Sequence, residues 1–132
     1  FHADDCDQFI KVSDVANLYD KTFTLKGEVE TNAVGKQKLV CMYEPSEGDF
    51  SFTLFIEHNN DINQDYLCDL MIAKGGKWTR ISDPQHSCID DGDAIGVFNG
   101  FSIMATAHDI YHVPDRDTKV TKAMQIIYGN TQ

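Results

Sequence analysis

The chain has 132 residues, 42% of them hydrophobic and 11% aromatic, enough for a proper core and too apolar for a disordered segment. Twenty-one acidic residues against 11 basic ones leave a net charge of −10, a field that repels phosphate backbones and anionic bilayers and so argues against nucleic-acid or membrane-surface binding. No apolar run approaches the ~20 residues of a membrane span, and the expectation is a single domain over 1–132.

Cys6, Cys41, Cys68 and Cys88 form no C-x-x-C pair, so a cysteine zinc site or thioredoxin-like centre is not expected. An even count in a short chain points to two disulfides and an oxidising compartment, hence a secreted, extracellular protein. Phe1 rather than Met heads the chain, which reads as a processed or cloned mature form. The expected pairs are Cys6–Cys41 and Cys68–Cys88. The second spans the Gly75-Gly76 turn and needs only a local reversal of the chain.

In chain order, Phe1 to Asp7 is an acidic lead-in. Val12 to Asp20 predicts a short helix, with Ser13 as cap and Val12, Val15, Ala16 and Tyr19 on one face. Lys21 to Glu30 alternates weakly as a strand through Phe23, Leu25 and Val29. Thr31 to Lys38 is a polar loop, Leu39 to Tyr43 a brief strand, and Glu44 to Asp49 a turn. Phe50, Phe52, Leu54 and Ile56 give the clearest strand face. Tyr66 to Ala73 reads as its return strand, apolar on both faces except for Asp69 and therefore central and covered. That places Phe52, Leu54, Ile56, Leu70 and Ile72 in the core.

Asp90-Asp91-Gly92-Asp93 suits a helix N-terminus through the dipole, and Gly92, Gly96 and Gly100 would then give a smooth packing face. Ile103, Ala107, Ile110 and Tyr111 follow a helical stripe ending at His112, with Pro114 just beyond. The alternative places strands at Ala94–Phe98 and Phe101–Ala107 around the hairpin signal Asn99-Gly100. Asp117 to Gly129 predicts a closing helix, its apolar face formed by Val120, Ala123, Met124, Ile127 and Tyr128.

His108-Asp109-Ile110-Tyr111-His112 is the segment with metal chemistry in it. Two histidines four apart on a helix share a face and could share an ion. In H-E-x-x-H zinc proteases the intervening Glu activates the metal-bound water; here the position is Asp109, one methylene shorter. The order of features resembles the deuterolysin-type (aspzincin) fungal secreted zinc metalloendopeptidases. These features are the Cys68-Asp69-Leu70 segment, a second Cys twenty positions on, then His-Asp-x-x-His with Val113-Pro114, and finally Tyr128-Gly129. The resemblance covers roughly Leu39 to Gly129. It implies His108 and His112 as zinc ligands, Asp109 at the catalytic glutamate, and Gln125 where the family has its aspartate ligand. Gln is a weak zinc ligand beside carboxylate, and the family's Gly-Thr is missing before it.

The expected fold class is therefore α+β, a small antiparallel sheet with a zincin-like helix, stapled by disulfides; the alternative is a mostly-β sandwich. The expected function is a secreted binding protein or virulence effector on a degenerate protease-like scaffold. It would be a monomer acting on an extracellular or host protein, holding zinc weakly or not at all, and leaning away from enzymatic activity. The alternatives are an active small zinc endopeptidase, a zinc-sequestering secreted protein, and a small β-domain inhibitor or lectin.

Overall fold

The computed structural model describes all residues, Phe1–Gln132. Seven strands form one antiparallel sheet: β1 (Phe23–Thr31), β2 (Gln37–Pro45), β3 (Ser51–His58), β4 (Thr79–Ile81), β5 (Ser87–Asp90), β6 (Asp93–Phe98) and β7 (Phe101–His108). Their order is β1-β2-β3-β7-β6-β5-β4. A three-stranded meander thus meets a four-stranded one along the β3–β7 seam. Helices α1 (Val12–Tyr19), α2 (Tyr66–Ala73) and α3 (Arg116–Thr131), with short 3-10 turns at Ala3–Gln8 and Ile110–His112, complete an α+β fold.

Alternation along the strands assigns the two faces. Leu39, Cys41 and Tyr43 of β2 line up with Ile56, Leu54 and Phe52 of β3, all fully buried. They join Val15 and Tyr19 of α1 and Val120, Ala123, Met124 and Ile127 of α3 in the main core. This is the inner face. Cys6 of the first 3-10 turn is bonded to Cys41 and pins the N-terminal segment to it. The outer face holds a smaller cluster, Cys68, Cys88 and Ile95, with Leu67, Met71 and Trp78 packed around it, under α2. Both disulfides are the expected pairs. Strand β6 lies between α3 and α2 and is buried on both faces, which explains its unbroken apolar run Ala94–Phe98.

Two sequence expectations are corrected. Residues 94–112 do not form a helix. Asn99 and Gly100 both have positive φ (55° and 87°) and close the β6–β7 hairpin, as the alternative reading had it. Ile103 and Ala105 alternate inward against Ile56 and Leu54, so the apparent helical spacing of Ile103 and Ala107 is two repeats of a period of two. Asp91-Gly92, also both at positive φ, is the β5–β6 turn and not a helix start. Gly96 faces α3 and is not part of a helical glycine face: a Cβ there would lie 2.8 Å from Met124 Cε and 2.7 Å from Ser87 Oγ.

The second correction concerns Tyr66–Ala73, which is helix α2 and not a return strand. Leu70 and Ile72 are each 36% exposed, so they are not core, whereas Phe52, Leu54 and Ile56 are completely buried as expected. The true partner of β3 in that direction is β7, fifty residues on, a pairing invisible to local periodicity.

Candidate functional site

The residues singled out for zinc chemistry are scattered by the backbone. His108 ends β7 opposite Ser51. Asp109 follows at φ 57°, a left-handed conformation that stops the strand and turns the chain. His112 lies in the Ile110–His112 turn, exposed, and does not sit one helical turn above His108. Gln125 is on α3, where its side-chain amide donates to the Asp83 carbonyl at 3.1 Å. The helix that the aspzincin resemblance requires at 108–112 is absent, and no three His, Cys, Asp or Glu side chains are grouped to hold a metal ion.

Two of those residues, His108 and Asp109, do share a cavity. It measures about 460 Å³ and is lined by Asp90, Asp91, Asp93, Ala107, Ile110 and Tyr111 as well. A second hollow adds Asp49 beside His108, Asp109 and Tyr111. The walls are tied together: Arg116 Nε donates to Asp91 at 2.5 Å, and Asp117 accepts the Gly92 N–H at 2.7 Å. Ile110 plugs the space over Gly92, where any side chain would collide with it. Asp93, half-buried, accepts the Ala107 N–H at 2.9 Å. Burial raises its carboxyl pKa, the Ala107 hydrogen bond opposes the shift, and Asp90 and Asp91 add to it. The hydroxyl of buried Tyr19, raised by burial and then by Asp93, has no hydrogen-bond partner. Chemically this end of the sheet offers acceptors and negative charge, a setting for a cationic group.

The other notable surface is α2. Its sequence, Tyr-Leu-Cys-Asp-Leu-Met-Ile-Ala, is apolar all round apart from Asp69. Leu67, Cys68 and Met71 face the sheet. On other sides of the helix Tyr66 is 54% exposed and Leu70 and Ile72 stay partly open, with Ile62 fully exposed in the preceding loop. These are four of the seven large hydrophobic side chains that the fold leaves exposed. Helices apolar on every side belong in interiors. The Cys68–Cys88 bond and the apolar cluster hold α2 in place, together with a polar clasp in which Arg80 binds Asp69 and reaches Asp65 (3.8 Å), itself hydrogen-bonded to His86 at 2.9 Å. The clasp is half exposed and of the kind that contributes little, about 0–1 kcal/mol per pair. Beneath the N-terminal end of α2, a groove of about 310 Å³ runs over the outer sheet between Leu67, Ile95, Met104 and Phe55, closed by Lys38 and Glu57.

No family model, curated protein or solved structure matches the chain. The sequence did carry a signal for α2: the run from Tyr66 to Ala73 has one polar residue in eight, more apolar than a helix covered on one side requires. A strand covered on both faces has the same apolarity, so composition alone does not choose between the two elements.

Proposed function

We propose that the protein is an extracellular, disulfide-bonded binding protein that acts by docking α2 and the Ile62–Tyr66 loop onto another protein. The observation that carries this is the exposed apolar surface of α2, with Tyr66 and Leu70 one turn apart on it and Ile62 beside them. Exposed aromatic and aliphatic side chains on a rigidly anchored helix are the anchors such interfaces use. The partner's chemistry follows from charge. Asp61 adjoins Ile62 on the patch, whereas Asp65 and Asp69 are already engaged by Arg80, and the chain carries −10 overall, so the fitting partner presents apolar side chains within a basic surround. No helix here is long and apolar enough to cross a membrane, and the two disulfides fit an oxidising compartment.

The test places a photo-crosslinking amino acid at Leu70 and, as control, at Val34, which is 87% exposed in the β1–β2 loop. Crosslinking to a discrete basic protein from position 70 but not 34 is expected. That protein, purified, should bind at least about tenfold more weakly to Leu70→Arg. Equal crosslinking from both positions, or unchanged affinity for Leu70→Arg, would remove α2 as the docking element.

A further inference from the structure

The sheet has two edges of very different character. β4 is three residues long. β1 is nine residues long and pairs along its whole length with β2, leaving its other side free. The ladder's ends show which backbone groups are free. Thr22 accepts from the Ser46 N–H at one end, and the Asn32 N–H donates to Lys36 at the other. In an antiparallel ladder the hydrogen-bonded pairs alternate, so the even-numbered residues of β1 turn their N–H and C=O toward β2. Phe23, Leu25, Gly27, Val29 and Thr31 turn theirs outward, and none of them appears in any hydrogen bond outside the ladder. A long free edge of this kind is a template for another strand.

The geometry points to a second copy of this chain as that strand, β1 pairing antiparallel with β1 about a twofold axis through Gly27. In this register Gly27 meets Gly27, Leu25 meets Val29 and Phe23 meets Thr31, all through the outward-facing groups. Between them Lys26 lies opposite Glu28 and Thr24 opposite Glu30. Every outward donor finds an acceptor, and the Lys26 and Glu28 charges next to the axis are complementary. Lys26 and Glu28 already pair within one copy at 3.2 Å, so in the dimer each Glu28 sits between two lysines. Sliding the register two places so that Val29 is central puts Glu28 opposite Glu30; sliding it the other way, to Leu25, leaves Lys26 opposite Thr24 and shortens the overlap. On the inner face the Ala3 carbonyl oxygen fills the space that a Cβ at residue 27 would need, so the axis residue has to be glycine for a reason internal to each copy. Leu25 and Val29, only partly buried in one copy, become covered. The two seven-stranded sheets run on as one, both α2 helices standing on the same face, because the axis is normal to the sheet.

Sedimentation equilibrium across ~10 µM to ~1 mM reads the association directly. A monomer–dimer equilibrium is expected for the wild-type protein. Lys26→Glu should weaken it about tenfold or more, and Lys26→Glu with Glu28→Lys should restore it, since the swap rebuilds the same cross-axis pairs. Val29→Pro deletes one outward N–H and no bond to β2, and should abolish the dimer with an unchanged far-ultraviolet circular dichroism spectrum. Leu70→Arg, on α2, should leave it intact. A protein that stays monomeric throughout overturns the inference. So does a dimer indifferent to Lys26→Glu, or one that the charge swap fails to rescue; neither outcome depends on how Val29→Pro folds.

Discussion

Gly96→Ala is a one-carbon test of how closely α3 lies on the sheet. The new Cβ would stand 2.6 Å from the Phe98 ring, 2.7 Å from Ser87 Oγ and 2.8 Å from Met124 Cε. Ordinary contacts begin about 0.7–0.9 Å further out, near 3.5 Å. Met124 Cε is the end of a flexible side chain and can yield, but Met124 is fully buried and has little space to yield into. The Phe98 ring is held edge-on against Tyr128 at 5.1 Å, and Ser87 is 2% exposed, so both are fixed. Overpacking of this kind costs about 1–3 kcal/mol. Against it stands the gain from replacing glycine in a strand, where Gly96 has no positive φ to lose, about 0.5–1 kcal/mol through the unfolded chain. The clash wins, and a net loss of about 1–2 kcal/mol follows. The melting temperature should fall by roughly 3–10 °C, measured by circular dichroism together with urea unfolding at unchanged m-value. Met124→Ala in the same chain should recover part of the loss, a coupling that a double-mutant cycle isolates. If Gly96→Ala is neutral or stabilising, α3 does not approach β6 this closely and the account of the inner layer fails.

Leu54→Ala, at the fully buried centre of β3, should cost about 2–5 kcal/mol in urea unfolding, and a loss under about 1 kcal/mol would mean the wrong face had been assigned. Asp93 has its folded pKa raised, so the folded state holds more protons than the unfolded one between the ordinary carboxylate value and the raised one. Its stabilising contribution is complete below the unfolded pKa and is lost as pH rises through the folded pKa. Asp93→Asn should therefore melt above wild type at pH 7, with the difference shrinking or reversing at pH 3; a pH-independent difference would contradict the burial of that carboxyl. Zinc at tenfold molar excess should shift the melting temperature by less than about 1 °C, because His108 and His112 flank a left-handed residue and Gln125 is engaged with Asp83. A stoichiometric, chelator-reversible rise lost in His112→Ala would restore the metal-site reading.

What the sequence made legible was local. α1, α3, the Leu39–Tyr43 strand and the inward face of β3 all declare themselves by period, and the structure has them, but the cap of α1 is Lys11 and not Ser13, which lies inside the helix. The disulfides were legible because Cys68 and Cys88 flank the Gly75-Gly76 turn, where a local reversal joins them, and that pairing leaves Cys6 for Cys41. The second half of the sheet was harder. Strands β6 and β7 are apolar enough to alias onto a helical stripe, and the deciding information was two dipeptides, Asp91-Gly92 and Asn99-Gly100, whose turn chemistry outweighs the periodicity around them. The β3–β7 pairing depends on a contact fifty residues away, which no window along the chain can see. The helix expected under His108 and His112 is missing for the same reason: a histidine spacing carries meaning only once the element bearing it is known.

The two cross-links also bear on how the molecule meets proteases. The exposed β1–β2 loop, carrying Lys36, lies between Cys6 and Cys41; the exposed Lys74-Gly75-Gly76-Lys77 turn lies between Cys68 and Cys88. Exposed glycine-containing loop tips with lysines are natural cutting sites. A cut in either one opens a covalent ring and does not release a fragment. The cut ends stay on the same sheet, held by the ladders and apolar clusters on each side, and α2 keeps its seat on the outer face. A singly or doubly nicked molecule would thus run as pieces only after reduction. Among proteases, its lifetime is set by the survival of two sulfur–sulfur bonds more than by an uncut backbone.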